Sequence, residues 1–456
     1  MTDFAISRNP TTGEILAQYP MQSASELEQA LNTSATAYKE WRKSSMATRV
    51  TVLRQLSQQL RKREPELTRM ITLEMGKPVA QARGEILKCA NLCDWYAEHG
   101  PAMLADQPSQ VPDAWQSFRP IGVILAVMPW NFPFWQVLRG AVGMLLAGNT
   151  YLLKHAPNVM GSATLMAELF DATDLPKGGF NVINVDNEGV SAAIKDDRIA
   201  AVAVTGSVRA GAAIAAQAGA ALKKTVLELG GSDPFIVLAD ADLDEAVKSA
   251  VTGRYQNTGQ VCMAAKRFII EASIADEFEK RFVDAVKSLK IGDPLDEQTF
   301  IGPMARADLR DELDEQVKAS LREGARLVLG GEKIAGQGNY YAPTILADVT
   351  NDMTAFRQEL FGPVAAIAVA NDAQHALEIA NNSDFGLSAT VWTADEEVAA
   401  RMSDELEVGA VFINGNGASD PRVTIGGVKK SGYGRELSHF GVHEFCNVQT
   451  VWKNRR

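Results

Sequence analysis

Cysteine and histidine are scarce in this chain of 456 residues, which holds four of the first and five of the second. Cys89, Cys93, Cys262 and Cys446 are too few for a disulfide framework and suit a reducing compartment. Cys89 and Cys93 stand four apart in a helical-looking stretch, a spacing that fits helix packing and not a Cys-x-x-Cys redox or zinc pair. His439 and His443 are also four apart, but HFGVH lacks the glutamate of an HExxH site and the histidines form no further cluster. No metal is expected. An excess of positive charge is missing too: 45 Lys and Arg face 56 Asp and Glu, a net charge of −11. That balance argues against a nucleic-acid binder or a binder of anionic membranes, both of which need a basic face. An anionic ligand must then be met by a few locally placed cations.

The opening MTDFAISRNPTTGE has no basic segment followed by an apolar core, so no signal peptide is expected. A long uninterrupted apolar run is absent as well. Over residues 121–153 the only charge is Arg139, yet Pro129, Asn131, Pro133, Gln136, Gly148 and Asn149 break up the ~20 apolar residues that a membrane span requires. The stretch reads as two buried strands around a turn and a helix. A soluble, cytoplasmic protein is the expectation.

Hydrophobic residues make up 46% and charged residues 22%, which is enough to bury a large core. At ~150 residues per domain the length suggests about three domains. Residues 24–63 carry helical periodicity through Leu27, Leu31, Ala35, Val52, Leu53, Leu56 and Leu60, and a further helical stretch covers 64–98. Short apolar runs then alternate with helix-length segments, at 123–128, 151–154, 180–185, 201–204, 226–229 and 235–238. A second series follows at 267–270, 326–329, 364–369, 390–392 and 411–413. Such runs mark buried parallel strands, and two series fit two α/β domains.

Several segments could carry chemistry. Pro129-Trp130-Asn131-Phe132-Pro133 follows an apolar strand, where two prolines fix a turn and Asn131 could offer its amide to an oxyanion or simply cap it. Thr205-Gly206-Ser207 with Gly211 stands between a strand and an Ala-rich helix, where small residues would let a phosphate approach the helix amides. A glycine-containing helix start is the other reading. Glu228, in LELGG, is a carboxylate at an apolar strand end, costly there unless used or ion-paired; burial would raise its pKa toward that of a general base. Cys262, in NTGQVC, follows a glycine-containing turn, as a nucleophile or as a packing thiol. ELFGPV, with Glu359 and Phe361, and GGVKKSGYGRE, at 426–436, complete the set.

In order and spacing these six segments resemble the aldehyde dehydrogenase superfamily from Asn9 almost to the C-terminus. The resemblance implies a Rossmann-like cofactor domain (1–101 and 119–229), an α/β catalytic domain (230–441) and a small β oligomerisation flap (102–118 and 442–456), assembled as a homodimer or homotetramer. It also implies that Cys262 attacks an aldehyde and that Asn131, with the Cys262 N–H, holds the oxyanion. Glu228 would activate water against the resulting thioester. Glu359 would bind the nicotinamide ribose, with Phe361 near the ring. Thr205, Gly206, Ser207 and Gly211 would form the pyrophosphate turn, Lys154 would meet the adenosine ribose, and Trp130 would line the channel.

Three departures bear on specificity. Many NAD-preferring members follow the lysine with Pro-Ala-Glu, whose acid repels a 2′-phosphate. This chain reads Lys154-His155-Ala156-Pro157, which drops that acid but brings no Ser or Arg to bind the phosphate, so use of both cofactors, NAD and NADP, with NAD favoured is expected. Arg139, alone in an apolar segment, needs an anionic partner. It resembles the arginine with which succinate-semialdehyde dehydrogenases clamp the substrate carboxylate, and a structural ion pair is the competing reading. Asp420 stands in the substrate-lining loop where those relatives carry serine, and could orient Arg139 or Arg422 or attract an aminoaldehyde. Ala264, two residues past the nucleophile, excludes a vicinal disulfide there. A CoA-acylating relative would generally lack Glu228, and a non-catalytic one would not need Cys262, Glu228, Asn131 and Glu359 together.

Overall fold

The computed structural model describes residues 4–453. Its first large sheet has six strands in the spatial order Gly432–Tyr433, Lys224–Glu228, Ile199–Thr205, Val123–Met128, Thr150–His155, Phe180–Ile183. All neighbours are parallel except the two-residue edge strand, which runs antiparallel to Lys224–Glu228. Numbered along the chain, the five parallel strands lie 3-2-1-4-5, so the order reverses between Val123–Met128 and Ile199–Thr205. Sheets wound this way bind ligands beyond the carboxyl ends of the strands at that reversal. The loops leaving it are 129–133 and 205–207.

The near-continuous apolar strands have a simple cause. Ile124, Ala126 and Met128 pack against the helices Met46–Lys62, Val79–Met103 and Trp135–Ala147, while Val123 and Leu125 face the helices Ala24–Trp41, Asn187–Lys195 and Val208–Ala220. Both faces of the sheet are covered, so both alternating sets of side chains are apolar. The second sheet repeats the arrangement with seven strands, in the order Arg326–Leu329, Thr344–Ala347, Val364–Ala370, Ala265–Glu271, Asp233–Val237, Ser388–Trp392, Ala410–Ile413. Only its Arg326–Leu329 edge is antiparallel. Each strand expected from the sequence is present within a residue or two.

A third, three-stranded antiparallel sheet joins Cys446–Trp452, Ala114–Pro120 and Gln107–Pro108. Residue 442, the expected start of this tail, lies inside the helix Ser438–Glu444, and the strand begins four residues later. The pairing of Gly432 with Glu228 likewise carries part of the 230–441 stretch back to the first sheet. The helical stretch 24–63 divides at residues 42–45, and 64–98 divides at Gly76, whose positive φ ends Glu64–Met75. Among the described residues no helix is long and apolar enough to cross a membrane.

Candidate active site

The turn 129–133 is held from both sides. The buried Glu85 carboxylate accepts from the N–H groups of Phe134 (2.9 Å) and Trp135 (3.0 Å), the amides that open the helix Trp135–Ala147. Glu85 is itself paired with the buried Lys77, whose ammonium lies 3.6 Å from the Phe132 ring centre. His155 lies between the carbonyls of Pro133 (2.9 Å) and Met128 (3.2 Å), and burial pushes its pKa down to about 4, so its ring is neutral. Asn131 is thereby fixed, 3% exposed, with Nδ2 donating to the Gln260 carbonyl at 3.1 Å. A carboxamide nitrogen has two hydrogens, so one remains for a second acceptor.

The loop leading to Cys262 is left-handed at three successive residues, Asn257 (φ 54°), Thr258 (φ 55°) and Gly259 (φ 72°). Gly259 is required twice over: a Cβ there would lie 2.3 Å from the Gly362 carbonyl oxygen. The fully buried Arg254 guanidinium ties the same two segments, donating to the carbonyls of Gly259 (2.6 Å), Gly362 (2.5 Å) and Ala265 (3.2 Å). Asn257 Nδ2 reaches across to the Asn131 carbonyl at 2.9 Å, which links the loop leading to Cys262 to the 129–133 turn. Lys266, four residues past Cys262 and fully buried, donates to the carbonyls of Val261 (3.0 Å) and Cys262 (2.5 Å) and lies 3.5 Å from Glu359. Burial pushes the Cys262 thiol up to about 11, with Arg139 and Lys266 opposing that rise and Glu359 and Glu228 adding to it.

Glu228 ends its strand in register with Thr205, and its carbonyl accepts from the Gly206 N–H at 3.0 Å. The 426–436 motif clamps this end: Ser431 donates through Oγ to the Gly230 carbonyl (2.7 Å), and its own carbonyl accepts from Leu229 N–H (3.0 Å). The Glu228 side chain is 4% exposed, and its Oε1 has no hydrogen-bond partner. Burial raises its pKa to about 8, with Arg139 opposing and Glu436 adding to the rise.

One cleft of about 550 Å³ brings these groups together. Its lining includes Trp130, Asn131, Thr205, Gly206, Ser207, Glu228, Cys262, Glu359 and Phe361. Its arrangement fits a dinucleotide. Ser207 caps the helix Val208–Ala220, accepting from Ala210 N–H at 3.3 Å, and the space around Gly206 is open. Glu359 accepts from Gly231 N–H at 3.1 Å and approaches Gly230 so closely that a Cβ there would lie 2.2 Å from its carboxylate. Trp130 and Phe361 meet edge to face at 5.8 Å across the cleft.

Four expected site residues lie outside this lining. Gly211 packs its helix on Leu229, where a Cβ would lie 2.5 Å from the leucine side chain. Lys154 is half-buried beside Val127 and Ile183. Arg139 is 4% exposed and pairs with Glu436, itself 3% exposed. Asp420 turns toward Arg422, accepting from its side chain at 2.7 and 2.8 Å. Lys77, Glu85, Arg254 and Lys266 were not singled out from the sequence; their partners are carbonyls and side chains brought near only by the fold, so no local spacing signals them.

The aldehyde dehydrogenase family model matches residues 3–451. The NAD(P)+ succinate semialdehyde dehydrogenase Sad of Escherichia coli is 64% identical over 453 residues, 99% of this chain and 98% of that one. An NADP+ succinate-semialdehyde dehydrogenase of Mycobacterium ulcerans is 44% identical over 97% of this chain and 98% of its own. Among solved structures, the succinic semialdehyde dehydrogenase of Streptococcus pyogenes, in complex with NADP+, superposes with a TM-score of 0.96 at 37% identity, covering 99% of this chain and all of that one. With the six motifs folded into one cleft and the likeness running end to end, this chain belongs to the aldehyde dehydrogenase family.

Proposed function

We propose that this protein oxidises succinate semialdehyde to succinate with NAD(P)+, through a thioester on Cys262. The observation that carries the chemistry is the single cleft lined by Asn131, Glu228, Cys262 and Glu359. The substrate is supported by the names of the relatives above. When bound, the dinucleotide accepts a hydride from the substrate carbon. Thr205–Ser207 and Glu359, in the cleft lining, would hold its phosphates and nicotinamide ribose, and Lys154 would meet the adenosine ribose.

The Cys262 thiolate adds to the aldehyde carbon. The carbonyl oxygen gains charge and is met by the free hydrogen of Asn131 Nδ2 and by the Cys262 N–H. Loss of hydride leaves an acyl group on sulfur. Glu228, unpartnered at Oε1 and held to a pKa of about 8, then accepts a proton from water as the water attacks the thioester. The acid leaves and the thiol is restored.

NAD is the favoured cofactor in this reading, because Pro157 leaves neither an acid to repel nor a base to hold a 2′-phosphate. The enzyme works in the cytoplasm, where its four free cysteines stay reduced. It assembles as a homodimer or homotetramer through the three-stranded sheet. Initial rates with succinate semialdehyde, propionaldehyde and 4-aminobutyraldehyde, each with NAD+ and NADP+, test this. Succinate semialdehyde should give the highest kcat/KM; a preference for 4-aminobutyraldehyde contradicts the substrate assignment and makes Asp420 the specificity residue.

A further inference from the structure

We propose that Lys88 receives the carboxylate of the substrate, with the Ser419 hydroxyl as companion donor. This rests on the reading above, that the aldehyde carries an anionic far end. Lys88 is half-buried on the helix Val79–Met103. Its ammonium donates to Ser419 Oγ at 2.8 Å and lies 4.0 Å from the centre of the Trp135 ring. Among the described residues no carboxylate forms a salt bridge with it, and Glu85 and Asp420 act on its charge only from farther off. The neighbouring acid, Asp420, is engaged by Arg422 through both oxygens. Ser419, having accepted from the ammonium, keeps its own hydroxyl hydrogen to donate. A cation set on an aromatic face and a hydroxyl, in a protein of net negative charge, is a site that an anion completes.

The position suits the reaction. Gln136 lines the cleft, and Trp135 points about 100° around the same helix, on the face it shares with Arg139. Arg139 lies within electrostatic reach of Cys262 and Glu228. The loop carrying Ser419 passes beside the nucleophile: a Cβ on Gly417 would lie 3.4 Å from the carbonyl oxygen of Met263. One helical turn, ~5.4 Å, separates Trp135, under the Lys88 ammonium, from Arg139. Arg139 lies within electrostatic reach of Lys88 as well as of Cys262, so the helix Trp135–Ala147 bridges the two ends of the proposed substrate path.

Arg139 is the other cation at hand, but Glu436 already occupies it. Transferring Arg139 to a substrate would leave Glu436 buried and unpaired, which is costly. Lys88 needs no such exchange. Burial pushes its pKa down to about 8, so an arriving anion also favours the charged form.

The test compares wild type, Lys88→Met and Lys88→Arg with succinate semialdehyde and with butanal, its neutral analogue. Lys88→Met should lose on the order of 10²-fold in kcat/KM for succinate semialdehyde, chiefly through KM, and less than about threefold for butanal. Lys88→Arg should recover most of the loss. An unchanged preference in Lys88→Met overturns the assignment while leaving the substrate reading intact. A wild type that does not prefer succinate semialdehyde overturns both. A second measurement needs no variant: succinate should slow acetylation of Lys88 in the native enzyme and butyrate should not. Equal labelling with and without succinate overturns the proposal.

Discussion

Cys262 sits behind three left-handed residues and under two carbonyl contacts from Lys266, so its sulfur is positioned by backbone geometry more than by side-chain partners. Asn131 is its counterpart across the cleft. Asn131→Ala should lower kcat by about 10²–10³-fold while leaving the Cys262 thiol open to alkylation; a loss below tenfold would contradict its place at the oxyanion. Both Glu228 and Cys262 are pushed upward by burial, to about 8 and about 11. In the proposed mechanism each acts in its ionised form, so turnover of a neutral aldehyde should rise through about pH 8 and keep climbing toward about pH 11. Lys88 faces Glu85 and Cys89 on its own helix, Arg139 on the neighbouring helix, and Asp420 with Arg422 on the loop, and it loses its charge above about 8. For succinate semialdehyde, kcat/KM should therefore level off or fall where that for butanal still climbs. Parallel profiles for the two substrates would contradict this.

At the scale of elements, the turn bearing Asn131 depends on a buried ion pair far upstream in sequence, Lys77 with Glu85, that closes the start of its helix. Glu85→Gln leaves Lys77 buried without its counter-charge and should destabilise the fold by about 3–5 kcal/mol, read from the denaturation midpoint. Lys77→Met combined with Glu85→Gln should cost less than Glu85→Gln alone, because no unpaired charge remains. Such anchors could not be read from the sequence. The parallel strands were legible because burial on both faces makes each a continuous apolar run. The hairpin Phe4–Arg8 with Ile15–Pro20 and the strand Thr344–Ala347 were missed. The hairpin is mostly exposed and its residues are mixed, and the strand is a four-residue run behind a proline. The segments that bring Cys262, Glu228 and Asn131 to the cleft were legible from motif and order. Arg139 shows the limit, since its isolation in the sequence announced an anionic partner without telling substrate from Glu436.

At the scale of the molecule, Val448 and Trp452 are 51% and 60% exposed on the Cys446–Trp452 edge strand of the third sheet. Unpaired apolar edges of this kind are normally covered. Val448→Lys should shift the sedimenting species toward monomer, and an unchanged oligomer would contradict assembly through this edge. Central to the proposed chemistry is an acyl group carried by Cys262 and released by Glu228. The most direct measurement is rapid mixing of Glu228→Gln with succinate semialdehyde and NAD+, followed by intact and peptide mass analysis. The expected result is one equivalent of NADH in a burst, then arrest, with one succinyl group on the peptide containing Cys262. Sustained turnover without an adduct, or an adduct elsewhere, would contradict it.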